Sequence, residues 1–239
     1  MNNQQAVTEM FDGIAESYDG LNHLLSFGID RIWRRKTSKV VSRHHPASIL
    51  DVATGTADLA IRLAKDNPQV PVVGVDLSTV MLNIGQQKIR QRRLSGQIQL
   101  ETADAAALPF PDDSFDAVTV AFGVRNFSGL EKGLGEMVRV CRNDGLVAIL
   151  EFSYPTNGLL KTLYRWYSRR WIPWVGEKVS KHPGAYHYLP SSVERFPSGK
   201  AFVTKLEQSG LHGVRSILLS GGIATLYYGQ KSKNNHPPQ

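Results

Sequence analysis

The sequence is poor in several things, and each scarcity excludes something. It has one cysteine, Cys141, so no internal disulfide can form and the reducing cytoplasm is the expected location. It has no run of the roughly 18 uncharged apolar residues that a membrane-spanning helix needs. The opening stretch, "MNNQQAVTEMFDG", shows no basic segment followed by an apolar core, which argues against a secretory signal. No G-x-x-x-x-G-K-[ST] loop and no G-x-G-x-x-G run occurs, which argues against a triphosphate or a pyrophosphate ligand. The histidines have no convergent spacing: His44 and His45 adjoin Pro46, and His182 and His187 stand apart from them, so no metal site is expected.

What remains suits one substantial globular domain: 239 residues, 41% hydrophobic and 21% charged. Lysine and arginine number 28 against 21 acids, a formal charge of +7, which admits nucleic acid or an anionic membrane surface as a partner. Cys141, between Val140 and Arg142 at an expected helix end, reads as a packing residue.

Five apolar, β-branched runs predict strands: 48–53, 70–77, 98–104, 115–124 and 145–153. Helical patterns at 57–66, 78–93 and 129–142 alternate with them, which predicts an α/β fold with a doubly wound, mostly parallel sheet. Two late runs, 213–220 and 224–231, are separated only by Gly221, Gly222 and Ile223 and predict an antiparallel hairpin. Five parallel strands closed by a hairpin is the Rossmann-like plan of the class I S-adenosylmethionine-dependent methyltransferases. Residues 1–46, with the amphipathic "IDRIWRRKTSKVV", and residues 154–200 fall outside the alternation. Both are too long for simple connections and are expected as an N-terminal helical cap and a cap insertion over the carboxyl ends of the strands. The cofactor-binding half is then 47–153, the last helix and hairpin 201–231, and the tail 232–239 is expected to be disordered.

The loop "LDVATGTADLA" (50–60) follows the first strand. Asp51 precedes it and Gly55 stands in its middle. The pattern is close to the acid-x-Gly-x-Gly-x-Gly loop that binds S-adenosylmethionine, with Ala53 and Ala57 in place of the outer glycines. Asp76 ends the second run, followed by Leu77, and can accept from both ribose hydroxyls. Asp104, followed by Ala105, ends the third and can receive an adenine amino group. Carboxylates beside a cationic sulfonium make electrostatic sense. Two other readings stand beside this one. One is a methyltransferase acting on RNA or on a small nucleophile, although no RNA-binding module and no N-P-P-[YF] tetrapeptide is present. The other is a binding protein that has kept the fold and lost the loop glycines.

Several stretches resemble signatures of the UbiE/MenG family of quinone C-methyltransferases: "MFDGIAESYDGLNHLLSFGIDRIWRR" (10–35), the loop, "DAAALPFPDDSFDAVTVAFGVRN" (104–126), "LEFSYP" (150–155), "YHYLPSSVERFP" (186–197) and "GGIATLYYGQK" (221–231). The resemblance covers about 8–231. It implies methyl transfer from S-adenosylmethionine to a ring carbon of a polyprenylated quinol, with no metal. The quinol is demethylmenaquinol, toward which "ATGTAD" and "GGIATLYYGQK" lean, or a polyprenyl-methoxy-benzoquinol of ubiquinone biosynthesis. It further implies that Thr56, Asp76, Asp104, Ala105 and Ala121 hold the cofactor, Ala121 standing where many relatives have serine.

Such a reaction needs the quinol hydroxyl to ionise, and a phenol titrates near pH 10. Arg125, in "FGVRN" after the fourth run, is the first choice for stabilising the phenolate. Asn126 is the candidate for orienting the quinol oxygen, or else a cap of the following helix. Tyr154 and Tyr188 are candidate pocket walls, and Asp12 and Asp19 are both candidate bases. The segment 159–182 mixes Trp and Tyr with Lys and Arg and reads as an interfacial amphipathic helix. With the basic stretch 31–39 it predicts transient contact with an anionic inner face of the cytoplasmic membrane, and no nucleic-acid partner. Homo-oligomerisation stays open.

Overall fold

The strands form where β-branched and small residues can be buried on both faces. The computed structural model describes residues 28–155 and 184–232, together with Glu9, Met10, Asp12, Gly13, Ala15, Ser26, Gly158, Thr162, Tyr164, Trp166, Tyr167 and Arg170. The elements run in the expected alternation. Helix α1 (Ile29–Ser42) is followed by β1 (Ile49–Val52), α2 (Asp58–Asp66), β2 (Val72–Asp76), α3 (Thr79–Gln91) and β3 (Ile98–Thr102). Then come β4 (Phe115–Ala121), α4 (Leu130–Val140), β5 (Cys141–Phe152), α5 (Gly184–Arg195), α6 (Lys200–Gln208), β6 (Leu211–Leu219) and β7 (Ala224–Lys231). The seven strands have the order β3-β2-β1-β4-β5-β7-β6. The first five are parallel, and β7 runs antiparallel to both its neighbours. The doubly wound class and the closing hairpin are therefore as expected.

Alternation along each strand sends residues to two cores. Leu50, Val52, Val118 and Val120 meet α4 and α6, through Leu134, Met137, Phe202 and Leu206. Ile49 and Ala117 meet α1, α2 and α3, through Val41, Leu63 and Ile89. Each fully buried aliphatic side chain contributes about 1.5–3 kcal/mol. Asp51 and Thr119 fall on the second face by the same alternation, and they sit opposite one another in the β1–β4 register.

Helix α1 docks over the carboxyl ends of β4 and β5. Trp33 is buried against Phe122 and Phe152, each 6.1 Å away between ring centres, and its indole N–H donates to Ser220 Oγ at 3.0 Å.

Some boundaries differ from expectation. β3 and β4 stop at Thr102 and Ala121, short of 104 and 124. Beyond Ala121 the chain turns out of the sheet through Phe122, at φ +60°, into a 3-10 turn at Val124–Asn126. β5 begins at Cys141, earlier than 145, because Cys141 pairs with Phe115 before a bulge absorbs the polar "RNDG" and pairing resumes at Leu146. Cys141 is buried, and burial pushes its thiol up to about 12, which leaves it inert. β6 likewise begins two residues early, ahead of a bulge between His212 and Arg215. Ser232 still bonds Gly210, and the rest of the expected tail lies outside the described residues, as does most of 159–182.

Candidate active site

The loop after β1 takes the backbone path of a glycine-rich loop without its glycines. Ala53, Gly55 and Ala57 have φ of 50°, 55° and 64°, all left-handed. That conformation costs an alanine about 1 kcal/mol or more, and the surrounding packing holds it. The path brings α3 close: a Cβ on Gly85 would lie 3.1 Å from the Ala57 Cβ. At Gly55 a Cβ would meet nothing within 4 Å, so the loop's backbone is open to close approach. Beneath it is a cavity of about 30 Å³ lined by Arg34, Asp51, Ala53, Thr54, Gly55, Thr56, Asp58, Leu59 and Ala121.

Asp51 is 1% exposed. It accepts from the hydroxyls of Thr54 and Thr119, both at 2.7 Å. Burial outweighs these bonds and pushes its carboxyl up to about 6. Asp76, the last residue of β2, accepts from the Gly55 N–H at 2.8 Å and the Ser78 N–H at 2.9 Å, one on each oxygen. Each oxygen keeps further acceptor capacity. Burial raises this carboxyl too, and Asp12 adds to the effect. Asp12 accepts from the Ser78 hydroxyl, which places it on the Asp76 side of the site. Leu77, beside Asp76, is 38% exposed. Asp104 lies two residues past β3, where it accepts from the Ala106 N–H at 2.9 Å and bridges to Ala107, forming a turn that carries Ala105. The Thr56 hydroxyl points inward, accepting from Lys88 at 3.1 Å, and Lys88 also pairs with Asp58. Thr56 therefore offers its backbone to a ligand at this loop.

The carboxyl end of β4 supplies the other part. Ala121 lines the cavity. Phe122 stacks on Phe152 with ring centres 4.4 Å apart, and the Arg34 guanidinium sits 5.3 Å above its ring centre. Arg125 is buried. Its Nη1 donates to Glu151 Oε1 at 2.7 Å and to the Phe122 carbonyl, and its Nε donates to Ser192 of α5 at 3.3 Å. Asn126 does not cap α4; Gly129 holds that position, and Asn126 Oδ1 accepts from the Tyr188 hydroxyl at 3.0 Å. Tyr154 packs edge-on to Tyr164 at 5.6 Å. The Tyr164 phenol is raised by burial, with Tyr154 and Tyr167 adding to that and nearby Arg125 opposing it. Asp19 lies outside the described residues.

The strand order makes this one site. β3, β2, β1 and β4 are consecutive neighbours, so Asp104, Asp76, the Asp51 loop and the Ala121–Asn126 segment line up along one edge of the sheet. That edge, at the switch in strand order between β1 and β4, is where open α/β sheets bind ligands.

A sequence profile described as the ubiE/COQ5 methyltransferase family matches residues 1–231. The chain belongs to that family. It is 45% identical over 228 residues to the ubiquinone/menaquinone biosynthesis C-methyltransferase UbiE of Citrifermentans bemidjiense, spanning 95% of this chain and 97% of that one. It is also 45% identical over 222 residues to the demethylmenaquinone methyltransferase of Thermus thermophilus, spanning 93% of this chain and 100% of that one. Among solved structures it resembles a SAM-dependent methyltransferase of Aquifex aeolicus, with TM-score 0.56 and 20% identity over 77% of this chain and 81% of that one. The protein is thus a methyltransferase that takes its methyl group from S-adenosylmethionine.

The residues fit that co-substrate. Gly55 leaves room, Asp76 keeps acceptor capacity, and the cavity holds charges of both signs. Among the described residues no group of three or more His, Cys, Asp or Glu is placed to hold a metal. Four residues of this methyltransferase's candidate site are not singled out by the sequence: Arg34, Thr119, Glu151 and Lys88. Glu151 had a usable signal, since it ends an apolar run as Asp76 does. In sequence Arg34 reads as part of the basic stretch 31–39, and only its position four residues after Asp30 hints at a fixed guanidinium.

Proposed function

We propose that this protein C-methylates the ring of a polyprenylated quinol, converting demethylmenaquinol to menaquinol. The relatives' names support the substrate class. The observation that carries the reading is the continuity of the cavity-lining Ala121 with Arg125 and Asn126 just past the end of β4, beside the half-buried Tyr164 and Tyr188. Bound S-adenosylmethionine supplies an already activated methyl group. The chain must then hold the quinol in line, exclude water and favour its phenolate. Arg125 is neutralised by Glu151, so it acts on the developing oxyanion as a fixed donor more than as a net charge. Among the described residues its Nη2 has no hydrogen-bond partner and is the group available to donate. Asn126, fixed by Tyr188, orients the ring oxygen. Asp51, Gly55, Thr56, Asp76, Leu77, Asp104, Ala105 and Ala121 hold the donor.

The prenyl tail of such a substrate lives in a bilayer, so the enzyme works peripherally at an anionic cytoplasmic membrane face. Exposed Arg31, Ile32, Arg35, Lys36 and Lys39 on α1 support this. Among the described residues no helix is long and apolar enough to cross a membrane. The test is quinone analysis of a strain lacking the protein. Demethylmenaquinone should accumulate and complementation should clear it. Accumulation of a methoxy-benzoquinol intermediate alone would reassign the substrate, and an unchanged quinone pool would refute the reading.

A further inference from the structure

We propose that Arg34 binds the α-carboxylate of S-adenosylmethionine, and that the cavity lined by Arg34 and Asp51 receives the amino-acid end of the donor as a zwitterion. The inference rests on the reading of S-adenosylmethionine as the methyl donor. It adds a residue of the N-terminal cap to a site otherwise built on the sheet.

The charges of the cavity carry the argument. Of its lining residues three are ionisable: Arg34, Asp51 and Asp58. Asp58 is paired with Lys88, and Arg34 commits only its Nη1 to Asp30, so the rest of the Arg34 guanidinium and Asp51 are the charged groups with capacity left toward the cavity. A phosphate or another simple anion would gain from Arg34 but would meet the carboxylate of Asp51. A neutral group would leave both unanswered. An amino acid carries one carboxylate and one ammonium on adjacent atoms and answers both.

Arg34 is also held in place, as a binding guanidinium must be. Its Nη1 pairs with buried Asp30, one turn earlier on α1, and the other oxygen of Asp30 accepts from the Ser26 hydroxyl at 2.7 Å. Its face is fixed over the Phe122 ring. Among the described residues Nε and Nη2 have no hydrogen-bond partner, so the fork that pairs with a carboxylate is unspent. The helix itself is pinned by Trp33 among Phe122, Phe152 and Ser220. Phe122 follows Ala121 directly, so the residue that seats Arg34 is continuous with the cavity wall. Arg34 and Asp51 are close enough that the guanidinium's field lowers the Asp51 carboxyl against the larger effect of burial.

The experiment is calorimetric titration of the full chain with S-adenosylmethionine and with its decarboxylated form, which keeps the adenosine, the sulfonium and the amine but lacks the carboxylate. Wild type should bind the decarboxylated ligand about 30-fold more weakly. Arg34→Ala should lose a similar factor for S-adenosylmethionine and stay within about threefold of wild type for the decarboxylated ligand. Arg34→Lys should recover part of the loss. Equal affinity of wild type for the two ligands overturns the proposal without any variant. So does an Arg34→Ala chain that weakens both ligands alike, which would make Arg34 a structural cation. If wild type binds neither ligand, the donor reading itself is wrong and the proposal goes with it.

Discussion

Arg125 and Glu151 form an ion pair that water does not reach: Nη1 and Oε1 are 2.7 Å apart, and the two side chains are 4% and 0% exposed. The Glu151 carboxylate also accepts from the Phe152 N–H at 2.8 Å. A buried pair of this kind adds little net stability but is costly to break, since the survivor is an uncompensated buried charge. Glu151→Gln should therefore destabilise the protein by about 3–5 kcal/mol, lowering the melting temperature by roughly 10 °C. Arg125→Met combined with Glu151→Gln should cost clearly less than the sum of the single changes. Additive losses would mean that the pair is not coupled.

Catalysis at Arg125 needs a variant that keeps the buried charge. Arg125→Lys retains it and loses the planar fork. Its kcat should fall about tenfold or more, and that of Arg125→Ala by at least about 100-fold. The dissociation constant for S-adenosylmethionine should move less than about threefold, because the interaction forms on the way to the transition state. Raising the pH toward the quinol's own ionisation, under anaerobic conditions, should restore part of the rate. An unaffected kcat in folded Arg125→Lys and Arg125→Ala would remove Arg125 from the chemistry.

Asp76 should dominate recognition of the ribose. Asp76→Ala leaves two hydroxyls unpaired, a loss of about 2–3 kcal/mol, and S-adenosylmethionine affinity should drop by roughly 30- to 150-fold. An unchanged dissociation constant by calorimetry would take Asp76 out of the site.

Asp51 makes stability depend on pH in a defined direction. Its folded carboxyl is raised from 3.8 to about 6, so the fold prefers it protonated. Its favourable contribution is complete below about pH 4 and is lost as the pH rises through about 6, a change of about 3 kcal/mol. Asp51→Asn removes the titration. Denaturant melts at pH 4 and pH 7 should show the variant gaining on wild type by about that amount between the two. A difference that stays flat with pH would show that Asp51 does not titrate in this range.

The exposed cations of α1 should govern membrane contact. Arg31, Arg35, Lys36 and Lys39 changed together to Gln should weaken binding to vesicles containing anionic lipid by roughly fivefold per charge. Activity on a short-chain, soluble quinol should be retained. Equal co-sedimentation of variant and wild type would show that α1 is a cap and nothing more.

The sequence by itself determined the order and kind of the sheet's elements and pointed to the loop and acids of the candidate donor site. Its information there is local. Buried strands read as short β-branched runs, and the candidate cofactor acids Asp51, Asp76 and Asp104 stand at or just past the ends of those runs, visible without a neighbour. Local patterns also placed the hairpin at Gly221–Gly222 and the amphipathic helix at 29–41, which the structure extends by one residue. Where a strand stops was less legible: β4 ends one residue before the turn at Phe122, and Cys141 pairs with Phe115 ahead of a bulge, so both limits depend on pairing between strands.

Tertiary structure decided what each charge does. Arg125 reads the same in sequence whether it faces solvent, substrate or Glu151, since its partner is 26 residues away on β5. Thr119 meets Asp51 across 68 residues only because β1 and β4 are adjacent and in register. Arg34 lies in a basic stretch that looks like surface, and lines the cavity under the β1 loop only when Trp33 pins α1 over the end of β4. Charge is a property of the residue, whereas the partners and burial that set its strength and its role are properties of the packed chain.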